Sequence, residues 1–435
     1  MSPVEIGFIG FAFLIVIIML GVNVAFALII VGFGGIVLIN GLGPALATLE
    51  TVPFERATNY EISVIPLFLL MSQLVDVGNI GKEAFDMARA WLGQYKGGLA
   101  MATTGACGLF AACCGSSLAS AVAMGRVSYP EMKRYNYDDG LSVATAAAGG
   151  SIGILIPPSM GFIIYGILTQ ISIGKLFIAG IIPGILQVLF YMATISVICN
   201  LNPHLGPPTP KTSMRQKFDS LRLTWPVILL FVLIIGGLYV GIFTPTEAGG
   251  IGAFGALAIG LVRRQITGSN FADSLLQTAK ISAMVIALIV GAFVFNQFLA
   301  ITRIPFVTGE YIAGLGLNKY VVLFIVLILY IILGMLLDIY SACVLTIPVI
   351  YPVMMGLGFD PIWYGVIMVR IMEMGVISPP FAMNIFALAG VTKVPISRIY
   401  RAIIPFLISD IFHMALLCAV PWLSTLLPAL MIKSL

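Results

Sequence analysis

Gly153-Ile154-Leu155-Ile156-Pro157-Pro158-Ser159 interrupts one long apolar stretch, and Gly375-Val376-Ile377-Ser378-Pro379-Pro380 interrupts another, 222 residues further on. A proline gives up its N–H and its ring collides with the carbonyl four residues back, so two in succession end a helix. In lipid the freed N–H and C=O groups find no water, and such a break is tolerated only where it is buried in protein or lines a cavity. The same shift of 222 lays Tyr129-Pro130-Glu131-Met132 on Tyr351-Pro352-Val353-Met354, Asp138 on Asp360, and Ile181-Ile182-Pro183 on Ile403-Ile404-Pro405. Apolar identities are cheap in this composition, but double prolines, glycines and aspartates in register are not. The chain reads as a duplication.

The solvent follows from composition. Of 435 residues, 60% are hydrophobic and 9% charged, against about 25% charged in a soluble domain. Apolar runs near the ~20 residues that cross a bilayer recur along the whole length. The fold class is therefore an all-α polytopic membrane protein. The N-terminus lacks the basic flank of a cleavable signal peptide and runs straight into a second span.

Charge says which way each copy points. Arg126, Lys133 and Arg134 follow the first hairpin, whereas its mate at 348–361 carries no base; one element later the bias reverses, Lys175 alone against Lys393, Arg398 and Arg401. Lys and Arg mark the cytoplasmic side, so the copies are inverted in topology. Spans are expected at 4–21, 24–40, 61–78, 140–168 and 176–200, then at 225–243, 246–262, 280–302, 361–391 and 400–428. Residues 98–126 and 320–349 read as re-entrant hairpins. This gives a first inverted repeat at 61–200, a cytoplasmic connecting loop at 201–224 and a second repeat at 280–428, all within one membrane domain, with both termini periplasmic. Of the 22 Lys and Arg, 16 then fall inside, five outside, and Arg370 alone mid-span.

Several function classes drop out. The six cysteines lie in apolar segments without CxxC spacing or neighbouring histidines, as small packing residues do. His413 reads as a core residue, and Thr244-Pro245-Thr246-Glu247 as a structural helix cap. No HExxH or phosphate loop is present, and no paired titratable groups suggest an enzyme. A channel would need a continuous polar stripe, which is absent. The net charge of +4 is explained by topology and implies no nucleic acid.

Four breaks remain, paired by symmetry: the tips Cys113-Cys114-Gly115-Ser116-Ser117-Leu118-Ala119-Ser120 and Leu336-Leu337-Asp338-Ile339-Tyr340-Ser341, and the two Pro-Pro spans. Each break leaves orphan carbonyls at one half-helix end and orphan N–H groups at the next. Carbonyls suit a small hard cation, and helix N-termini suit a carboxylate. Hydroxyls of Ser116, Ser117, Ser120 and Ser341 complete an oxygen shell fit for Na⁺, and Asp338 adds a formal negative charge.

With these residues in view, the chain resembles the large membrane (M) subunit of tripartite ATP-independent periplasmic (TRAP) transporters, the DctM/SiaM type. The likeness rests on Ile65-Pro66-Leu67-Phe68, Gly115-Ser116-Ser117, Ile156-Pro157-Pro158-Ser159, Gly241-Ile242-Phe243-Thr244-Pro245-Thr246-Glu247-Ala248, and Glu373-Met374-Gly375 through Pro379-Pro380 to Asn384. The resemblance implies a secondary active transporter of the ion transporter superfamily in the bacterial inner membrane, importing a small organic anion with Na⁺ by an elevator mechanism. It also implies a small four-helix membrane subunit (Q type) and a periplasmic substrate-binding protein (P type). By matching motif, Ser116, Ser117, Gly153, Asp338, Ser341 and Gly375 are the Na⁺ candidates, and Pro157, Pro158, Ser159, Pro379, Pro380 and Asn384 shape the substrate cavity. The nearest alternative is a stand-alone divalent-anion/Na⁺ symporter without a binding protein. Two features depart from the family pattern: Phe381-Ala382-Met383 replaces a small-residue run, and Arg370 is not part of it. Arg370 precedes Gly375 by five residues, about 7.5 Å along a helix. Its guanidinium suits a substrate carboxylate, or a pair with Glu373 on the same face.

Overall fold

The computed structural model describes residues 1–431, all of it helix and connection, with no strand among them. The first half supplies α1 (Pro3–Met19), α2 (Val24–Asn40), α3 (Leu42–Ala57), α4 (Val64–Val77), α5 (Ile80–Leu92), α6 (Gly98–Cys114), α7 (Ser117–Arg134), α8 (Asp139–Ser151), α9 (Met160–Thr169) and α10 (Ile173–Leu201). The second supplies α11 (Met214–Val240), α12 (Pro245–Val262), α13 (Gly268–Thr302), α14 (Ile304–Gly314), α15 (Lys319–Leu336), α16 (Ile339–Gly356), α17 (Pro361–Ile377), α18 (Met383–Thr392), α19 (Ile396–Ala419) and α20 (Trp422–Leu430). Adding 222 to the bounds of α7 reproduces those of α16, and α2, α6, α8, α9 and α10 start within one residue of α12, α15, α17, α18 and α19 under the same shift. Caps explain the agreement. Asp138 accepts from the N–H of Leu141 to start α8, and Asp360 accepts from Ile362 and Trp363 to start α17.

Among the described residues, seven helices are long and apolar enough to cross a membrane, or eight if the bent pair Met214–Arg222 and Thr224–Val240 is one span. Large apolar side chains such as Phe13, Phe26, Phe254 and Phe324 lie exposed, as lipid-facing residues do. The five described cysteines are free, four of them buried. The Cys113 side chain lies outside the described residues.

The copies pack crosswise. In the outer group α2 lies on α13 and α4 on α12; in the inner group α7 lies on α18 and α16 on α9, while α8 meets α19 and α17 meets α10. Each contact has a mirror with the halves exchanged, which is what a two-fold pairing requires.

Some boundaries differ from expectation. The 201–224 loop is shorter, because a capping box between Ser213 and Gln216 starts α11 at Met214. The helix α3, unassigned in sequence, is mostly exposed and only weakly amphipathic. It is separated from α4 because Asn59 caps the short turn Tyr60–Ser63, accepting from the Glu61 N–H. The corresponding part of the second half has no such cap and is the single helix α13. The last span breaks at Val420-Pro421, where proline ends α19.

Candidate functional site

The first hairpin turns at Gly115, whose φ of +61° favours glycine. A Cβ there would come within 2.7 Å of the Pro158 carbonyl oxygen, so the tip sits directly on the first broken span. Ser116 then caps α7 through the Ala119 N–H. On the other side of the contact, α8 tightens into a 3₁₀ turn at Ile152–Ile154 and the chain stays non-helical through Pro158. Gly153 faces the tip, since a Cβ on it would stand 2.9 Å from Ser120 Oγ and 3.2 Å from the Ser116 carbonyl. Ser159 caps α9 by accepting from Phe162 at 3.3 Å. Ser116, Gly153, Pro157, Pro158 and Ser159 therefore converge. The buried Ser120 hydroxyl has no hydrogen-bond partner, and a hard cation is the kind of group that such an oxygen and a nearby carbonyl accommodate.

The second hairpin is built differently. Asp338 caps α16, accepting from both the N–H (3.1 Å) and the hydroxyl (2.6 Å) of Ser341. Gly375 does not face that tip; a Cβ on it would strike the Ile331 carbonyl at 2.7 Å and the Gly334 backbone at 2.8 Å, because α17 runs against α15 there. Pro157 and Pro158 are buried, whereas Pro379 is half-buried and Pro380 and Phe381 are exposed. The Tyr400 hydroxyl donates to the Pro380 carbonyl at 2.6 Å. Asn384, fully buried in the first turn of α18, donates to Ser117 Oγ at 2.8 Å and to the Ala147 carbonyl at 3.5 Å. Ser117 is thus tied to the opposite half and not to Gly153.

Arg370 is not paired with Glu373. Its side chain is fully buried, its Nη2 forms an ion pair with Asp410, and its Nε donates to His413 Nδ1 at 3.1 Å. The reason is directional: the side chain leans toward α19, where Asp410 and His413 sit three residues apart on one face. Two of the three guanidinium nitrogens, Nε and Nη2, are thus engaged from inside the protein, and Nη1 has no partner. Beside this pair, Gln187 donates to Ser151 Oγ (3.3 Å) and Tyr191 OH (3.2 Å). Asp410, Gln187, Tyr191 and Ser151 escaped sequence reading. Asp410 with His413 had a usable signal, two ionisable groups at i, i+3 within an apolar span.

Near the start of α19, Arg398 reaches across to Asp138 (2.7 Å) and Asp139 (3.2 Å) at the start of α8. Burial raises the Asp138 pKa, but the Arg398 guanidinium and the N–H groups of Leu141 and Gly140 together more than offset it and hold the carboxyl below its usual range. A cavity of about 590 Å³ opens there, lined by Asp138, Arg398, Arg401 and Pro405.

Residues 11–423 match the family model described as "Tripartite ATP-independent periplasmic transporter, DctM component". The chain is 35% identical over 376 residues to the C4-dicarboxylate TRAP transporter large permease protein DctM of Pseudomonas aeruginosa, covering 86% of this chain and 88% of that one. It is 30% identical to the sialic acid TRAP transporter large permease protein SiaM of Vibrio cholerae, covering 94% and 95%. Among solved structures it is similar in fold to the YdaH transporter of Alcanivorax borkumensis, with a TM-score of 0.60, 15% identity and 89% of each chain covered.

Proposed function

The chain belongs to the DctM component family of tripartite ATP-independent periplasmic transporters, and from that membership we propose that it imports a small organic carboxylate coupled to Na⁺. The substrate arrives from the periplasm on a binding protein, and a small four-helix subunit completes the membrane part. The transport body is the inner group, hairpins α6–α7 and α15–α16 with the broken pairs α8–α9 and α17–α18, moving as an elevator past α2, α4, α12 and α13. The observation that carries this reading is the convergence of tip and break in the first half. There Ser116 and Ser120 meet Gly153 and leave an orphan hydroxyl oxygen. The half-helices α9 and α18 present their N-terminal N–H groups, suited to a carboxylate, next to Pro157, Pro158, Ser159, Pro379, Pro380 and Asn384. C4-dicarboxylates and sialic acid, the substrates in the names of the relatives above, share that group.

The experiment is uptake into proteoliposomes holding the chain and its four-helix partner, with a binding protein loaded with labelled C4-dicarboxylate or sialic acid. Uptake is expected to require a Na⁺ gradient. Asp338→Ala removes both hydrogen bonds that fix the second tip and is expected to raise the Na⁺ concentration for half-maximal uptake roughly tenfold, the equivalent of about 1.4 kcal/mol. Equal uptake on a proton gradient in Na⁺-free buffer overturns the coupling, and full uptake without a binding protein selects the stand-alone symporter instead.

The reversed Lys/Arg bias places both termini and the 348–361 connection in the periplasm of the inner membrane. Cysteines introduced at Asn318 and Gly356 are expected to react with a membrane-impermeant thiol reagent from outside, and those at Tyr135 and Ser213 to stay unlabelled. Equal labelling at Tyr135 and Gly356 would falsify the inverted arrangement, since those connections belong on opposite faces.

A further inference from the structure

Three buried acceptor atoms at the junction of the halves have no hydrogen-bond partner: both carboxylate oxygens of Glu373 and Oδ1 of Asn384. Both side chains are fully buried, and both adjoin one hydroxyl. Asn384 donates to Ser117 Oγ, and the Glu373 carboxylate lies against Ser117 outside hydrogen-bonding geometry. Ser117 and the nearby Ala147 carbonyl come from α7 and α8 of the first half, Glu373 and Asn384 from α17 and α18 of the second.

Arg370 and Asp410 form an ion pair with each other. His413 accepts from Arg370 Nε at Nδ1, so that nitrogen carries no proton and the ring has no acidic N–H to offer there. Glu373, one helical turn from Arg370, makes no ion pair among the described residues. An isolated ionised carboxylate in a water-free interior is strongly unfavourable, and it is paired, coordinated to a metal or protonated. A carboxylate, an amide carbonyl and a hydroxyl, with no sulfur or imidazole among them, are hard-cation ligands.

We propose that Glu373 is the charged ligand of a separate Na⁺ site, formed with Asn384 Oδ1 and Ser117 Oγ and distinct from the Ser116–Ser120–Gly153 contact. The inference rests on the Na⁺-coupled reading above. The ion neutralises a fully buried carboxylate that has no ion pair among the described residues and joins the two halves, because its ligands come from both. The loaded and empty bodies therefore differ in the cost of crossing the bilayer.

The test is equilibrium binding of radioactive sodium to the full chain, purified with its four-helix partner in lipid nanodiscs. Glu373→Gln keeps the shape and removes the charge, and is expected to lower the Na⁺ bound per chain by about one. The remaining Na⁺ should stay sensitive to Asp338→Ala. A full parental count in Glu373→Gln overturns this site alone, with the carboxyl then held neutral by a proton. A parent chain that binds no Na⁺ overturns the coupling reading together with it. Should Glu373→Gln fail to fold, Glu373→Asp retains the charge with its oxygens drawn back by one methylene. A Na⁺ dependence shifted to higher concentration supports the site, and an unshifted one overturns it.

Discussion

Asp410→Ala is expected to be the most damaging single substitution in the chain, costing about 3–5 kcal/mol, the usual penalty for removing one partner of a buried ion pair. The Arg370 guanidinium is wholly enclosed and its Nη1 already lacks a partner. Without Asp410 it retains only the bond to His413, with no anion paired to it. The Tyr191 hydroxyl beside Asp410 also loses its neighbour. Thermal unfolding of the purified protein in detergent, followed by tryptophan fluorescence, should show the loss directly. Replacing both partners, Arg370→Met with Asp410→Leu, is expected to restore most of it, since apolar residues of similar volume often match a buried pair in stability. An unchanged melting temperature in Asp410→Ala, or a double variant no better than the single, would show that the pair does not hold α17 to α19.

Gly334→Ala is expected to be nearly as harmful, at about 3 kcal/mol, the upper end for overpacking. A Cβ on Gly334 would lie 2.4 Å from the Met372 carbonyl oxygen and 3.2 Å from Gly375 Cα. Both obstacles are backbone of α17, so no side chain can swing aside and the helices α15 and α17 must separate. Close approach through small residues is how helices associate in lipid, where burial of apolar surface supplies little driving force. Gly390→Ala serves as control, because nothing lies within 4 Å of its Cβ position. In the helix α18 that change is expected to stabilise by about 0.5–1 kcal/mol. If the two alanines behaved alike in the same melting assay, the α15–α17 contact would be looser than described.

The fold was legible where sequence carries punctuation. Double prolines, capping aspartates and serines, and tip residues set helix starts locally, so the 222-residue register paired α7 with α16 with no tertiary information, although the hairpins expected at 98–126 and 320–349 run on to Arg134 and Gly356. It failed where an end depends on composition alone: α3 has neither a strong apolar face nor a side-chain cap, and nothing set it apart from a loop. The site was legible in part. Gly153, Ser116 and the first Pro-Pro do meet, because a tip and a break in one copy must face each other to hide their freed backbone groups. Gly375 packs on α15 instead, a choice made by Gly334, whose missing side chain lets the helices touch. Arg370 shows the limit most clearly. The i, i+3 rule offers Glu373, but which way a long side chain leans is decided by a neighbouring helix, and Asp410 lies 40 residues away on that helix.

Crosswise packing carries a statement about ancestry. Since α7 rests on α18 and α9 on α16, half a gene encodes a chain that leaves its hairpin and its broken helix uncovered, and a single-copy forebear had to work as a pair of identical chains. Identical chains cannot hold a one-sided charge cluster. The residues 222 positions before Arg370, Glu373, Asp410 and His413 are Ala148, Ser151, Val188 and Tyr191; at least two of them, Ser151 and Tyr191, still touch each other, through their hydroxyls at 3.2 Å. In a symmetric pair either set would have faced its own copy, doubling the buried charge or abolishing it. Within one chain the two halves are under no such constraint, and one carries the ionic set while the other carries its neutral counterpart.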